Sequence, residues 1–581
     1  GSFGVVSNIL TSYANATADS ASLGISGAVN YFEVSTDTTA WVGSGATLTQ
    51  TGSSSCVSAS GTCWSTTLPV SLAGAPQPYA WTSDIQVAAT TTNSSINVGG
   101  NFSWLKLFGT NSTSTEGTAI GGSANVNIFH SNTVAGIGAG AKVTAIGKLA
   151  VTANTSDLIY AVAPTSGKGS GLGLNGMASI LEIDNTTSAS ISSLAQISAA
   201  FVAVNAEQDI SSFNVAGGVG SAAATGVGMV AALVSTSLNT RAFVGDNSTE
   251  LSATGATAND SNLTPTVIAG LSAFDLAVTA LTVGRMTTVS VAAQSANNIP
   301  DPAETPEFLK TAPPNADFLT KAASFFVDAG IALLLNTTVA INNLTDKVSG
   351  PVNGGNVIAG AGSASVDLTS VATAAWIAGA SVGYTPGGNN HVTVQALNNT
   401  IIDTASGAAA LSKGAPGTDY TVAIAGAVAV TTSNNMTTAK IWQSTISAYQ
   451  TTVQALAGGE STTLGLAVAV AAGSANSSIQ AAASVSVAQV TDGVQANIDS
   501  STITSNASYS SGNIGIFADQ QTKIGIGAGS LYAGFVSVPD PSKSVGVGVS
   551  MTYAFIGDPS NGAAVSAVLS NSKVDQTNSL T

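Results

Sequence analysis

One composite pattern constrains this chain more than any other feature of its sequence. A Gly-led run of small and β-branched residues is followed by a polar Asn/Thr cluster, then Ala-x-Ile or Ala-x-Val, then a further Ile, Val or Leu. It reads from Gly27 to Val34 with Ala40, Val42 and Leu48. It returns from Gly176 to Ile183 with Ala189, Ile191 and Ile197, and from Gly426 to Val430 with Ala439, Ile441 and Ile446. Shorter echoes carry Ala496, Ile498 and Ile503, then Ala567, Leu569 and Val574. Starts at Gly176, Gly228, Gly379 and Gly426 set neighbouring copies about fifty residues apart, and a repeat of that size with no helical component reads as a solenoid.

Inside the copies, apolar residues alternate with small polar ones, as from Ala482 to Val490, a period of two that suits strands. Clusters such as Asn185-Thr186-Thr187 and Ser433-Asn434-Asn435 are expected to turn the chain between strands. Small residues let successive coils stack at roughly 4.8 Å, and Ile and Val of each coil should align inside as ladders. Coils of about 25 residues would give a rod of about 100 Å, and coils of about fifty would halve it.

The expected fold is therefore all-β, a parallel β-helix, with repeats over 1–298 and again over 328–581. Between them, 299–327 gathers Pro300, Pro302, Pro306, Pro313 and Pro314. Asn315 can cap a short amphipathic helix bearing Phe318, Leu319, Ala322, Phe325 and Phe326, expected to pack on the rod. A second, irregular excursion is expected over 65–108, where Pro69, Pro76, Pro78, Trp81 and Trp104 fall.

Charge narrows the function classes. Only 8% of the 581 residues are charged, the formal net charge is -16, and Arg241 and Arg285 are the only arginines. A nucleic-acid partner is not expected, because little is present to neutralise a phosphate backbone, and an anionic membrane surface is disfavoured for the same reason. No apolar run approaches the eighteen or more residues of a membrane-spanning helix, so no transmembrane segment is expected. The opening Gly1-Ser2-Phe3-Gly4 lacks a basic, apolar leader, so any export signal is expected to lie outside this sequence. Cys56 and Cys63 bracket a six-residue polar loop with Gly61 inside it, which predicts a local disulfide and an oxidising, extracellular address.

Residues that could carry chemistry are sparse. His130 and His391 are single and far apart, and neither adjoins a nucleophile-elbow sequence. Gly167-Lys168-Gly169 fails the phosphate-loop pattern, with Val162 and Gly169 standing where Gly and Ser/Thr are needed. Glu182 with Asp184, and Glu207 with Asp209, are two apart and should each share a strand face. Such pairs admit a structural Ca²⁺, but no cofactor and no catalysis are expected. Asn-x-Ser/Thr sequons occur at Asn15, Asn111, Asn185, Asn262, Asn343 and Asn506, which permits glycosylation without indicating it.

The text Gly426-Ala427-Val428-Ala429-Val430 through Thr438-Ala439-Lys440-Ile441 resembles the repeats of large bacterial surface adhesins, the filamentous-haemagglutinin-like and autotransporter-passenger families. The resemblance covers most of the chain in degenerate form. It implies a right-handed parallel β-helix at the cell surface, with adhesive or biofilm roles and contacts to host cells, neighbouring cells or glycans. The expected function is an extracellular structural or adhesive rod that self-associates into fibres, not an enzyme. The alternative is a β-helical carbohydrate-binding or carbohydrate-active surface protein, with Trp41 and Trp442 as sugar-stacking platforms.

Overall fold

A computed structural model describes residues 9–14, 19–20, 22–50, 85–100, 113–115, 117–169, 171–245, 266–271, 275–296, 355–384, 390–414, 418–504, 513–537, 543–557, 565–575 and 579–580. The Cys56–Cys63 pairing and the helical excursion of 299–327 fall outside these residues. Of the irregular excursion expected over 65–108, Ile85–Gly99 is a regular strand inside the stack, and most of the remainder falls outside the described residues.

The architecture is a parallel β-helix with three faces. One coil runs Leu172–Ser192 on face 1, Gln196–Ser198 on face 2 and Phe201–Ala222 on face 3, and the next begins at Thr225. Every described strand pair is parallel, as this winding requires. Leu172 lies beside Thr225, so this coil takes 53 residues, and the wide-coil alternative is the one observed. Coils near the far end are slightly longer, with Gln395 bonded to Gln454 across 59 residues.

The width comes from the Asn/Thr clusters, and here the sequence expectation is corrected. Asn185-Thr186-Thr187 and Ser433-Asn434-Asn435 do not turn the chain; they lie in mid-strand. Asn185 and Thr187 are fully buried; the Asn185 amide nitrogen and the Thr187 hydroxyl find partners across the interior, while the Asn185 side-chain oxygen has none. A 22-residue strand spans about 70 Å, whereas eight coils stack to about 38 Å, so the described body is a slab wider than it is tall.

The apolar ladders occupy one end of this slab. Val42, Ile137, Ile191, Val244, Ile377, Ile441, Ile498 and Leu569 stand in one file on face 1. Leu48, Val143, Ile197, Ile268, Val382, Ile446, Ile503 and Val574 form the matching file on face 2. Between these faces, in each of the seven coils whose corner is described, one residue adopts a left-handed conformation: Gly45, Gly140, Leu194, Gly379, Gln443, Ser500 and Asn571 all have positive φ, and each lies one or two residues before its face 2 strand. Gly379 is thus a corner residue and not the start of a run; Gly362 is the partner of Gly426 and, through Met229, of Gly176.

Away from that end the interior turns polar. Thr133 donates to Thr91 at 2.6 Å, Thr155 donates to Thr133 at 2.9 Å, and Thr155 meets Thr187 at 2.6 Å, a zigzag of hydroxyls linking faces 1 and 3. Thr282 continues it between Thr240 at 2.8 Å and Thr373 at 2.7 Å. A hydroxyl both donates and accepts, so a column of them can satisfy itself without water. Beyond this belt the core is apolar again around Phe129, Ile159, Leu181 and Ile210. It then admits Ser179 and Asn214, bonded at 2.6 Å.

Candidate interaction surfaces

The residues singled out for chemistry are dispersed by the winding. Glu182 and Asp184 project outward from face 1, whereas Glu207 and Asp209 project outward from face 3, so the two pairs lie on opposite sides of the slab. Burial and the neighbouring Asp209 raise the pKa of Glu207, and partial burial raises that of Asp209. His130 sits one coil from Asp184, Nδ1 to Oδ2 3.9 Å, with both side chains exposed. His391 is placed differently: its Nδ1 lies 2.9 Å from Asp275 and its ring meets Tyr449 edge-on at 5.9 Å. Among the described residues no group of three or more His, Cys, Asp or Glu is arranged to hold a metal ion.

Sequence distance concealed one cation. Arg285 stands 118 residues from Asp403 in the chain, yet one strand step away in the stack, and pairs with it at 3.2 Å. Register brings it diagonally beside Asp209, because Ser211 aligns with Arg285 and Asp209 with Val283. Its side chain is largely exposed, so the pair contributes little to stability.

Two expectations are corrected by burial. Trp442 is only 7% exposed and packs with Phe243 and Trp376, so it offers no platform to a sugar; Trp41, at 47%, remains open. The sequon at Asn185 is closed to glycan attachment, because its side chain is fully buried and donates to Asp157, which Asn93 also reaches at 2.9 Å. Of the other sequons named, none lies in the described residues.

Among the described residues three carboxyls are enclosed inside the slab. Burial raises the pKa of Asp157 against the opposing effect of its Asn185 and Asn93 hydrogen bonds, and raises that of Asp492 against Thr522, Asn435 and Gln520. Asp367 is pushed up by burial to about 6, although Thr288 at 3.0 Å and Thr369 at 2.7 Å donate to it. These groups face one another's strands and not solvent, so their work is structural.

The surfaces left for recognition are therefore the outer faces and the two ends of the stack. At one end Leu23–Val42 pairs on one edge only, and at the other Ser544–Ile556 does the same, among the described residues. Ser544–Ile556 is exposed along nearly its whole length, including Val549, Met551 and Tyr553. Among known proteins, no family model, no curated sequence and no solved structure matches this chain.

Proposed function

We propose that this chain is a structural β-helix of the cell exterior whose slabs associate end to end into a rod, its free coil edges seeding surface filaments with an adhesive role. The observation that carries this reading is continuity. A single hydrogen-bonded register runs from Leu23 to Ile556 on face 1, and among the described residues strands with an unpaired edge stand at both limits. Each edge strand, among the described residues, presents a row of N–H and C=O groups without a neighbouring strand, which is a template for a further strand. Parallel stacking sets the polarity of such a joint, with the edge of Ser544–Ile556 meeting that of Leu23–Val42 on the next copy, a head-to-tail contact that does not close on itself.

The extracellular address rests on the resemblance to surface-adhesin repeats and on the Cys56/Cys63 spacing. The test is electron microscopy of the purified chain under native conditions. Unbranched fibres with a repeat near 4.8 Å along the stacking direction are expected. Short, separate particles at all concentrations would refute end-to-end assembly.

A further inference from the structure

The outer side of face 1 is a flat apolar plate. Four adjacent outward files cross eight coils there, beginning at Ile25, Gly27, Val29 and Tyr31 and ending at Val547, Val549, Met551 and Tyr553. Not one position in these files is charged, and the tyrosine hydroxyls are the only polar side-chain groups. Val29 is 73% exposed, Met229 63% and Ile424 50%. With strands about 4.8 Å apart and outward residues about 6.6 Å apart, the plate measures about 900 Å². That exceeds the largest apolar patch of an ordinary monomer, about 300–600 Å², and matches the roughly 800 Å² that each partner of a stable dimer contributes. The neighbouring file is mixed, with Glu33, Glu182, Ser235, Thr432 and Gln489 interspersed with Ile128, Leu368 and Phe555, so polar groups begin to border the plate there.

The plate is also corrugated, and the corrugation fits itself. The file from Tyr31 through Val126, Ile180 and Leu233 forms a ridge. Two files away, Gly27, Gly122, Gly176, Gly362 and Gly426 form a groove, interrupted in mid-stack by Met229 and closing at the far end with Ala483 and Val549. Between them runs a file whose first half is small, Ala124, Ala178, Ala231 and Ala364 following Val29, and which continues as Val428, Val485 and Met551. A two-fold axis laid along this file places the ridge over the partner's groove at the five glycine positions and Ala124, Ala178, Ala231 and Ala364 against their own copies. The unbranched Met229 can bend aside where the groove is filled.

We propose that a second copy of this chain docks face to face on this plate, forming a two-fold dimer distinct from any contact through the coil ends. The arrangement is isologous, so it closes at two copies, whereas end-to-end contact is open-ended. It needs only the coil stack and stands whether or not filaments form.

The test is sedimentation of the full chain at about 50 µM, well above a micromolar dissociation constant. A species of twice 56.8 kDa is expected. The double variant Leu233→Lys/Val430→Lys puts charge on the ridge and should return the single mass. The second variant, Gly176→Val/Gly426→Val, fills the groove. A Cβ at either glycine meets nothing within 4 Å of its own chain, and valine suits a strand, so folding should be retained while the doubled mass is lost. Ala231→Cys, on the axis, should form a disulfide between copies. Single-mass wild-type protein overturns the proposal, as does an oligomer ladder unmoved by both double variants, which would place association at the coil ends. Wild-type protein that stays single and floats with neutral phosphatidylcholine vesicles also overturns it, by assigning the plate to a lipid surface.

Discussion

Asp367→Asn isolates the electrostatic cost of burying a carboxyl in the slab. The carboxyl of Asp367 is fully buried between the strands Val357–Ala378 and Leu276–Ala296, with a pKa of about 6 against an ordinary 3.8. Below pH 3.8 both folded and unfolded chains hold the proton, and the group costs nothing through ionisation. Between 3.8 and 6 the folded chain keeps a proton that the unfolded chain has released, so stability falls as pH rises. Above 6 the penalty is complete, and a shift of this size corresponds to on the order of 3 kcal/mol. The amide keeps one oxygen to accept from Thr288 or Thr369 and can donate from its nitrogen to the other hydroxyl, but it cannot ionise. The variant should therefore gain protection at pH 7.5 and lose most of that gain by pH 4. Hydrogen exchange of the peptide spanning Asp367, with variant and wild type compared at the same pH, reads this as roughly a hundredfold slower opening at pH 7.5. A variant effect of equal size at both pH values would refute the electrostatic account and assign the change to packing. Protection that is lower at pH 7.5 than at pH 4, relative to wild type, would reverse its sign.

Other expectations follow from the ladders and corners. Ile191→Ala removes a fully buried rung between Ile137 and Val244 and should cost about 2–5 kcal/mol, read as a lower midpoint in urea unfolding. An unchanged midpoint would mean that the file is not the core of the coil. Leu194→Gly relieves a left-handed leucine, φ 64, at a corner where Gly45 and Gly140 stand in neighbouring coils, and should stabilise by about 1 kcal/mol. The converse, Gly140→Leu, should destabilise by a similar amount; thermal melting of both variants checks the pair.

The repeat text made the stacking direction legible. Ala189, Ile191 and Ile197 were assigned to one motif from spacing alone, and each stands in a file with its equivalents Ala439, Ile441 and Ile446. That succeeds because identical positions in successive coils meet the same neighbours, so the chain must repeat its side-chain sizes wherever packing is tight. Coil width was not legible, because Asn and Thr are good turn residues and equally good interior residues when a column of them can bond to itself. The candidate surfaces were less legible still: Trp442 read as exposed and is buried, and the pairing of Arg285 with Asp403 depends on register between distant segments.

Sequence by itself determined the strands, their parallel stacking and the apolar files near the corner. Only the tertiary structure decided which alternation points inward. In Leu172–Ser192 the inward set includes Asn175, Ser179, Asn185 and Thr187, while Leu174 and Ile180 face out. Both alternations carry apolar residues, so periodicity cannot rank them. For three of them partners come from other strands, Asp157 for Asn185, Thr155 for Thr187 and Asn214 for Ser179, whereas the side chain of Asn175 has no hydrogen-bond partner. Buried polar groups are tolerated where such partners exist, and these residues lie tens of positions away in the chain and become neighbours only when it winds.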